Sequence, residues 1–378
     1  MISRLKYDPS LLVKFIIVTW LATKLICYKL WLANRLFPLI PVHDSLSNLP
    51  VSVHLILFII SIGSMLLFLV FPGKKVIMVL LLSELLSCML DQNRWQPWEY
   101  QFLFMAAVYV FIKGGKDILY SFQLIIAGLY FFSGLSKWNS AFIHDVWQNL
   151  LLHRWLGIYH VNSMLIRSGY ALPLIEMLAG IGLLFNRTRK PTVLVLIIMH
   201  IVILCILGPV GLKMNIVVWP WNILMPVLLY LLFYKEQFQF IPLHLLKRFS
   251  WLVILCWWIL PWLQLGGYWD KYLSSVLYSG GVEQLFICTD DSATKNEMRI
   301  YMEKEFRVIP CSPVLSVYKW GVTEMNTSPY PERRIYNAII MAWKKEHPNN
   351  TDRFYIYKPG FAYTVREVDT GYRIQDAR

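Results

Sequence analysis

Lys137 closes an apolar run, "LYSFQLIIAGLYFFSGLSKWN" (Leu119–Asn139), in a chain that otherwise keeps charge out of such runs. Three chemistries are open to an ammonium there. It can snorkel to a membrane edge, with its stem along apolar surface. If desolvated, it can supply a neutral amine as a base. If it stays charged, it can hold an anionic headgroup or a substrate carboxylate. Two other polar stretches raise the same question. "DQNRWQPWEYQF" (Asp91–Phe102) sets Asp91, Asn93, Arg94 and Glu99 among Trp95, Trp98 and Tyr100. An interfacial aromatic belt explains the rings, but two acids and an arginine need partners if they are buried. "GPVGLKMNIVVWPWN" (Gly208–Asn222) follows His200, which falls within an apolar run. Gly208, Pro209 and Gly211 break a helix, and Pro220 is expected to kink the next. Broken helices at membrane depth need protein or a water-filled cavity to satisfy the backbone. A polar cavity lined by His200, Lys213, Asn215 and Asn222 is the expectation, against a simple kinked helix pair. Glu84 and Glu176 also fall within apolar runs, where an acid must be paired or protonated.

These residues are carried by long apolar segments. The chain has 378 residues, 57% of them hydrophobic and only 16% charged, with a mean hydropathy of +0.49. Soluble domains are about a quarter charged. The runs approach the roughly 20 residues that cross a bilayer, and they are continuous rather than alternating, which excludes a β-barrel. An all-α polytopic membrane protein follows. Nine spans are read: Leu11–Leu32, Val51–Phe71, Val76–Leu90, Trp98–Ile112, Ile118–Leu135, Ala171–Phe185, Val193–Leu207, Ile216–Phe233 and Trp251–Leu265. The short third, fourth and sixth fit either a buried or a lipid-facing place. "HDVWQNLLLHRWLGIYHVNSML" (His144–Leu165) reads as an interfacial amphipathic helix.

The net charge of +13 does not point to nucleic acid, because no basic block is interleaved with aromatics. Arg4, Lys6, Lys74, Lys75, Lys113, Lys116, Arg187, Arg189, Lys190, Lys235, Lys247 and Arg248 fall on one side of the nine-span topology. Arg35, Arg94, Lys137, Arg154, Arg167 and Lys213 fall on the other. The positive-inside rule puts the richer side, with the N-terminus, in the cytoplasm. An odd span count puts the C-terminal tail outside. Residues 1–266 are thus read as the bundle and 267–378 as a small extramembrane α+β tail. In the tail "RRIYNAIIMAWKKEH" reads as an amphipathic helix, and "FRVIP", "VLSVYKWGV", "RFYIYK" and "FAYTVREV" as strands. Cys288 and Cys311 both lie there, and an exported tail makes a disulfide between them plausible. No spacing typical of a metal site is present.

Taken in order, the polar stretches resemble the HTTM (horizontally transferred transmembrane) family. That family includes the membrane domain of vitamin K-dependent γ-glutamyl carboxylase and is distantly related to DoxX-like proteins. "DQNRWQPWEYQFLF" is similar to its D-x-x-x-W-x-x-H-x-Y loop, and "YFFSGLSKWNSAFI" to its Y-F-x-x-G-x-x-K-x-[DN] motif. "LIEMLAGIGLLFNRTRK" and "MHIVILCILGPVGLKMNIVVWPW" are similar to its later acidic and histidine segments. The similarity covers residues 80–225. It implies a base at Lys137, acting with His200 on a quinone-like or lipid ligand. Asp91, Asn93, Arg94, Glu99, Asn139, Glu176, Lys213 and Asn215 would lie around that ligand, and Trp95, Trp98 and Trp138 would stack on it. Trp98 stands where the family's histidine does, Ile203 and Leu204 where its asparagine follows, and the tail is short. Glutamate carboxylation is therefore not implied. The wording resembles bacterial multi-pass proteins of the Bacteroidetes type, which implies an inner membrane and a periplasmic tail. Two functions are carried forward: an outward-facing ligand cavity, and a non-enzymatic scaffold whose tail docks an envelope or secreted protein. Besides the lipid bilayer, the expected partner is thus a hydrophobic small molecule or an envelope protein.

Overall fold

A computed structural model of the chain describes residues 9–234, 250–304, 306 and 308–368. Helix α1 is Ser10–Ile26, continued after a break at Cys27 by one turn, Tyr28–Trp31. Then come α2 (Val51–Val70), α3 (Lys74–Leu90), α4 (Pro97–Phe111) and α5 (Gly115–Ser136). A π-helical segment, α6 (Phe142–Trp155), precedes α7 (Ser163–Gly182), α8 (Asn186–Leu207), α9 (Ile216–Tyr234) and α10 (Trp251–Gly266). Each of the nine apolar runs contains helix, but among the described residues only α2, α5, α7, α8 and α9 are long and apolar enough to cross a membrane. Helices α1, α3 and α4 stop at 17, 17 and 15 residues.

Burial ranks these helices. In α5, 83% of the apolar window is enclosed, against 28% in α2, α7 and α8. Helix α5 is therefore the axis of the bundle. The others turn outward residues such as Ile56 and Ile59, or Leu194 and Ile198, away from protein; apolar faces of that extent mark contact with lipid or another apolar surface. Two glycines bring α5 and α7 together. A β-carbon on Gly134 would overlap the backbone at Met177 and Pro173, and one on Gly180 would lie 2.5 Å from the Phe131 nitrogen. This is the small-residue contact by which membrane helices approach backbone to backbone.

Three local readings of the bundle are corrected. The segment after α5 is not one interfacial helix over His144–Leu165. Gly157, at φ +68°, interrupts it, and the Asn162 side chain accepts from the Leu165 N–H to start α7 afresh. Pro220 does not kink α9: it sits in the first turn of the helix from Trp219, where its missing N–H costs nothing. The break after α8 closes on itself, with the Leu212 and Met214 N–H groups donating to the carbonyls of Ile206 and Leu207.

The tail holds an antiparallel sheet of β1 (Gln284–Cys288), β2 (Met302–Glu303), β3 (Val314–Ser316), β4 (Arg353–Lys358) and β5 (Thr364–Glu367), in the order β2-β3-β1-β4-β5. Helices α11 (Val317–Met325) and α12 (Arg333–Glu346) cover it. Strand β1 pairs on both edges, with Phe286 opposite Ser316 and Tyr355. It buries both faces: Leu285 and Ile287 join the main core, while Phe286 and Cys288 form a second with Val314 and Ile309. Cys288 is bonded to Cys311. Of the strands read from sequence, "RFYIYK" is β4. "VLSVYKWGV" is strand only through Ser316, whose hydroxyl then accepts from the Lys319 N–H and opens α11. "FAYTVREV" is strand only over Thr364–Glu367. "FRVIP" forms no strand among its described residues, and its Pro310 has no N–H to give a ladder.

The close α5–α7 contact has a measurable consequence. Gly134→Ala is expected to destabilise by about 1–3 kcal/mol or more, as overpacking against backbone does. Gly63→Ala, where nothing lies within 4 Å, should be neutral or slightly stabilising. Thermal unfolding of the two variants in detergent compares them directly.

Candidate functional site

The residues singled out in the sequence fall into three places. The first is the contact of α5 with α7 and α8. Lys137, the residue after α5, donates from Nζ to Glu176 Oε2 at 2.8 Å and to the Ser133 hydroxyl at 2.6 Å. Both charged side chains are only 11% exposed, too little for an ammonium that has snorkelled into water. Glu176 reaches it because the Gly134 contact seats α7 one turn away. Below the pair, the Tyr130 hydroxyl lies 2.6 Å from His200 Nε2, and His200 Nδ1 lies 2.8 Å from Asn222 Oδ1. Asn222 donates its amide to the Val218 carbonyl, which leaves its oxygen to accept. His200 is thereby fixed as the Nδ1–H tautomer, with Nε2 accepting from Tyr130. The arrangement neutralises one charge pair and orients one imidazole; it presents no nucleophile beside a free base.

The second place is the Asp91–Phe102 loop, and Asp91, Asn93, Arg94 and Gln96 are spent on protein. Arg94 is wholly buried, and all five of its donors are used. Nε donates to the Leu30 carbonyl, Nη1 to the Ser87 carbonyl and hydroxyl, and Nη2 to the Trp31 carbonyl and His54 Nδ1. Asp91 pairs with Arg35 and accepts from the N–H groups of Ile40 and Asn93. The loop so held is the seat of the tail. Asn93 Oδ1 accepts from the Tyr330 N–H at 3.1 Å. Gln96 donates to the Ser328 carbonyl at 3.1 Å and accepts from the Thr327 hydroxyl at 2.9 Å. Trp98 is buried edge-on to Trp31, and Glu99 is enclosed with Trp20 as donor at 2.6 Å. Trp95 is half-buried against the core, whereas Trp138 is 51% exposed beside Tyr170.

The third place is the junction of bundle and tail, which the sequence did not reveal. Asn139 donates to the Ser279 carbonyl, and Asn215 to the Tyr278 hydroxyl. Two cavities open there. One, of about 460 Å³, is lined by Ser136, Asn139, Gln264, Lys271, Lys358 and Thr364 among others, with no carboxylate among the described residues of its wall. The other, of about 280 Å³, touches Trp98, Asn215 and Glu283. Burial opposes ionisation of Glu283, but the Arg333 guanidinium at 2.7 and 2.9 Å holds its carboxyl below the usual range. The expected cavity of His200, Lys213, Asn215 and Asn222 is corrected. His200 and Asn222 bond to each other in the core, Lys213 is exposed, and only Asn215 reaches a cavity. A bent helix end that satisfies its own carbonyls needs no water-filled space beside it.

Lys24 falls inside the first apolar run, Leu11–Leu32. The structure seats it against Glu84, with Nζ 2.8 and 2.7 Å from the two carboxylate oxygens. The signal was available: a lysine in one apolar run and a glutamate in another must find each other. Arg4, Lys6, Lys235, Lys247 and Arg248 lie outside the described residues. Among the described residues no group of three His, Cys, Asp or Glu could hold a metal ion.

The Lys137–Glu176 pair is testable by a double-mutant cycle. Lys137→Met and Glu176→Gln are each expected to cost about 3–5 kcal/mol, because each strands a buried charge. The double variant should cost clearly less than their sum. Denaturant or thermal unfolding in detergent measures it, and strict additivity would show that the two do not act as a pair.

No protein-family model, curated protein or solved structure matches the chain.

Proposed function

We propose that the chain is an integral membrane protein that binds an amphipathic, anionic-headed lipid where its tail meets the bundle. The observation that carries this is the 460 Å³ cavity: two lysines, several hydroxyls and amides, and no carboxylate among the described residues of its wall. Lys271 already has Glu332 at 3.2 Å, but Lys358 makes no hydrogen bond or ion pair among the described residues. Ser136 ends α5 and Gln264 lies in the last turns of α10, so the cavity sits at the depth of lipid headgroups if those helices lie in a bilayer. A neutral quinone head would leave the Lys358 ammonium only the longer-range charge of Glu283, and an anionic head would pair with it directly. The ordered motifs that resemble the HTTM family support a hydrophobic ligand at this end. Lys137, one residue after Ser136, is then an anion ligand or base only when a head displaces Glu176 from it.

The Cys288–Cys311 bond supports an oxidising compartment for the tail. The charges at the far end of the bundle, such as Lys74 and Lys190, support a cytoplasmic face opposite it. That fits a bacterial inner membrane with a periplasmic tail. The scaffold reading rests on a separate feature, the exposed Ile300 and Met341 of the tail, which would meet a partner protein.

The test is retention of labelled phosphatidylglycerol against phosphatidylcholine by the purified protein. Lys358→Ala is expected to weaken phosphatidylglycerol binding about fivefold, the ~1 kcal/mol that one lysine contributes near an anionic surface. Lys271→Ala in addition should weaken it further, with phosphatidylcholine unchanged. Equal retention of both lipids by wild type and double variant would sink the lipid reading and leave the scaffold.

A further inference from the structure

The core between α1, α3 and α4 holds two carboxyls and one ammonium in contact, all fully buried. Lys24 Nζ donates to both oxygens of Glu84 and lies 3.0 Å from the Trp31 ring centroid. The Ser61 hydroxyl donates to Glu84 Oε1. Glu84 thus has the whole of the nearest cation. Glu99, within electrostatic and hydrogen-bonding reach of Glu84, has less: Oε2 accepts from Trp20 Nε1, and Oε1 has no donor among the described residues. Glu84, Glu99 and Lys24 are each 0% exposed.

The other titratable groups facing this pair do not change the count. Cys27 beyond α1 and Cys88 on α3 are buried thiols. Arg94 is the next cation, but its five donors go to three carbonyls, the Ser87 hydroxyl and His54, and none goes to a carboxyl. Two carboxylates that touch in a dry interior repel strongly, and a single proton between them converts that repulsion into a hydrogen bond. The orphaned Glu99 oxygen is the open seat for such a proton.

We propose that Glu84 and Glu99 hold one proton between them, so that this core is a proton-binding site inside the helical bundle. With Lys24 the cluster is then neutral: one ammonium, one carboxylate and one carboxylic acid. The site is separate from the lipid cavity and does not rest on it.

Infrared spectroscopy of the full-length protein tests this. At neutral pH the wild type should show the carbonyl stretch of a protonated carboxylic acid, shifted when the protein is grown on isotope-labelled glutamate. Glu99→Gln should abolish the band while the protein still folds. Its carboxamide can accept from Trp20 and donate to Glu84 as the acid does. Glu84→Gln should abolish it too, because Glu99 then takes Lys24 as its partner and ionises. Glu176, paired one-to-one with Lys137, should contribute no such band. Absence of the band in the labelled wild type overturns the proposal, and so does a band that persists in both variants. If Glu99→Gln fails to fold, the labelled wild type and Glu84→Gln still decide.

Discussion

An ionic group inside an apolar bundle cannot retreat to water, and that constraint organises this fold more than any single apolar contact. Lys24 finds Glu84, Lys137 finds Glu176, and Arg94 finds five acceptors on three separate segments. Each pairing spans helices far apart in the chain. Apolar side chains meet in many nearly equivalent ways, whereas a buried pair is strongly disfavoured in every arrangement but one. The apolar runs supply helices, and the charges decide which helices are neighbours. The glycines at positions 134 and 180 allow the approach that the Lys137–Glu176 pair requires.

The loop at Asp91–Phe102 shows the same economy at the end of the bundle. Asp91, Asn93, Arg94 and Gln96 are all engaged, either in tying α1 to α3 or in receiving the tail. Polar density in a membrane protein's loop is thus as well explained by an internal interface as by a ligand. The cavity residues are sparser in sequence and come from distant segments: the end of α5, the end of α10 and the last strands of the tail.

That contrast accounts for what was legible beforehand. Continuous apolar runs gave the helices, because length and hydropathy act locally. The need of Glu84 and Glu176 for partners was also legible, since desolvation does not depend on context. Their partners were not, because pairing is a tertiary fact. The central strand Gln284–Cys288 escaped notice: buried on both faces, it lacks the alternation that marks a half-exposed strand. "VYKWGV" misled in the opposite direction, its alternation being overridden by the Ser316 cap. Lys358 carried no signal at all. An exposed lysine at a strand end is ordinary until Pro359 and Gly360 fold it over the bundle.

The seat of the tail has a consequence for the bundle as a whole. Residues 326–334 dock on a loop whose shape is set by Arg94 gripping Leu30, Trp31 and Ser87. A segment that follows the described helices of the bundle therefore rests on a surface built by the early ones. A chain whose α1 and α3 are wrongly packed offers that segment no platform. Seating of the tail thus reports on the packing of the helical bundle beneath it.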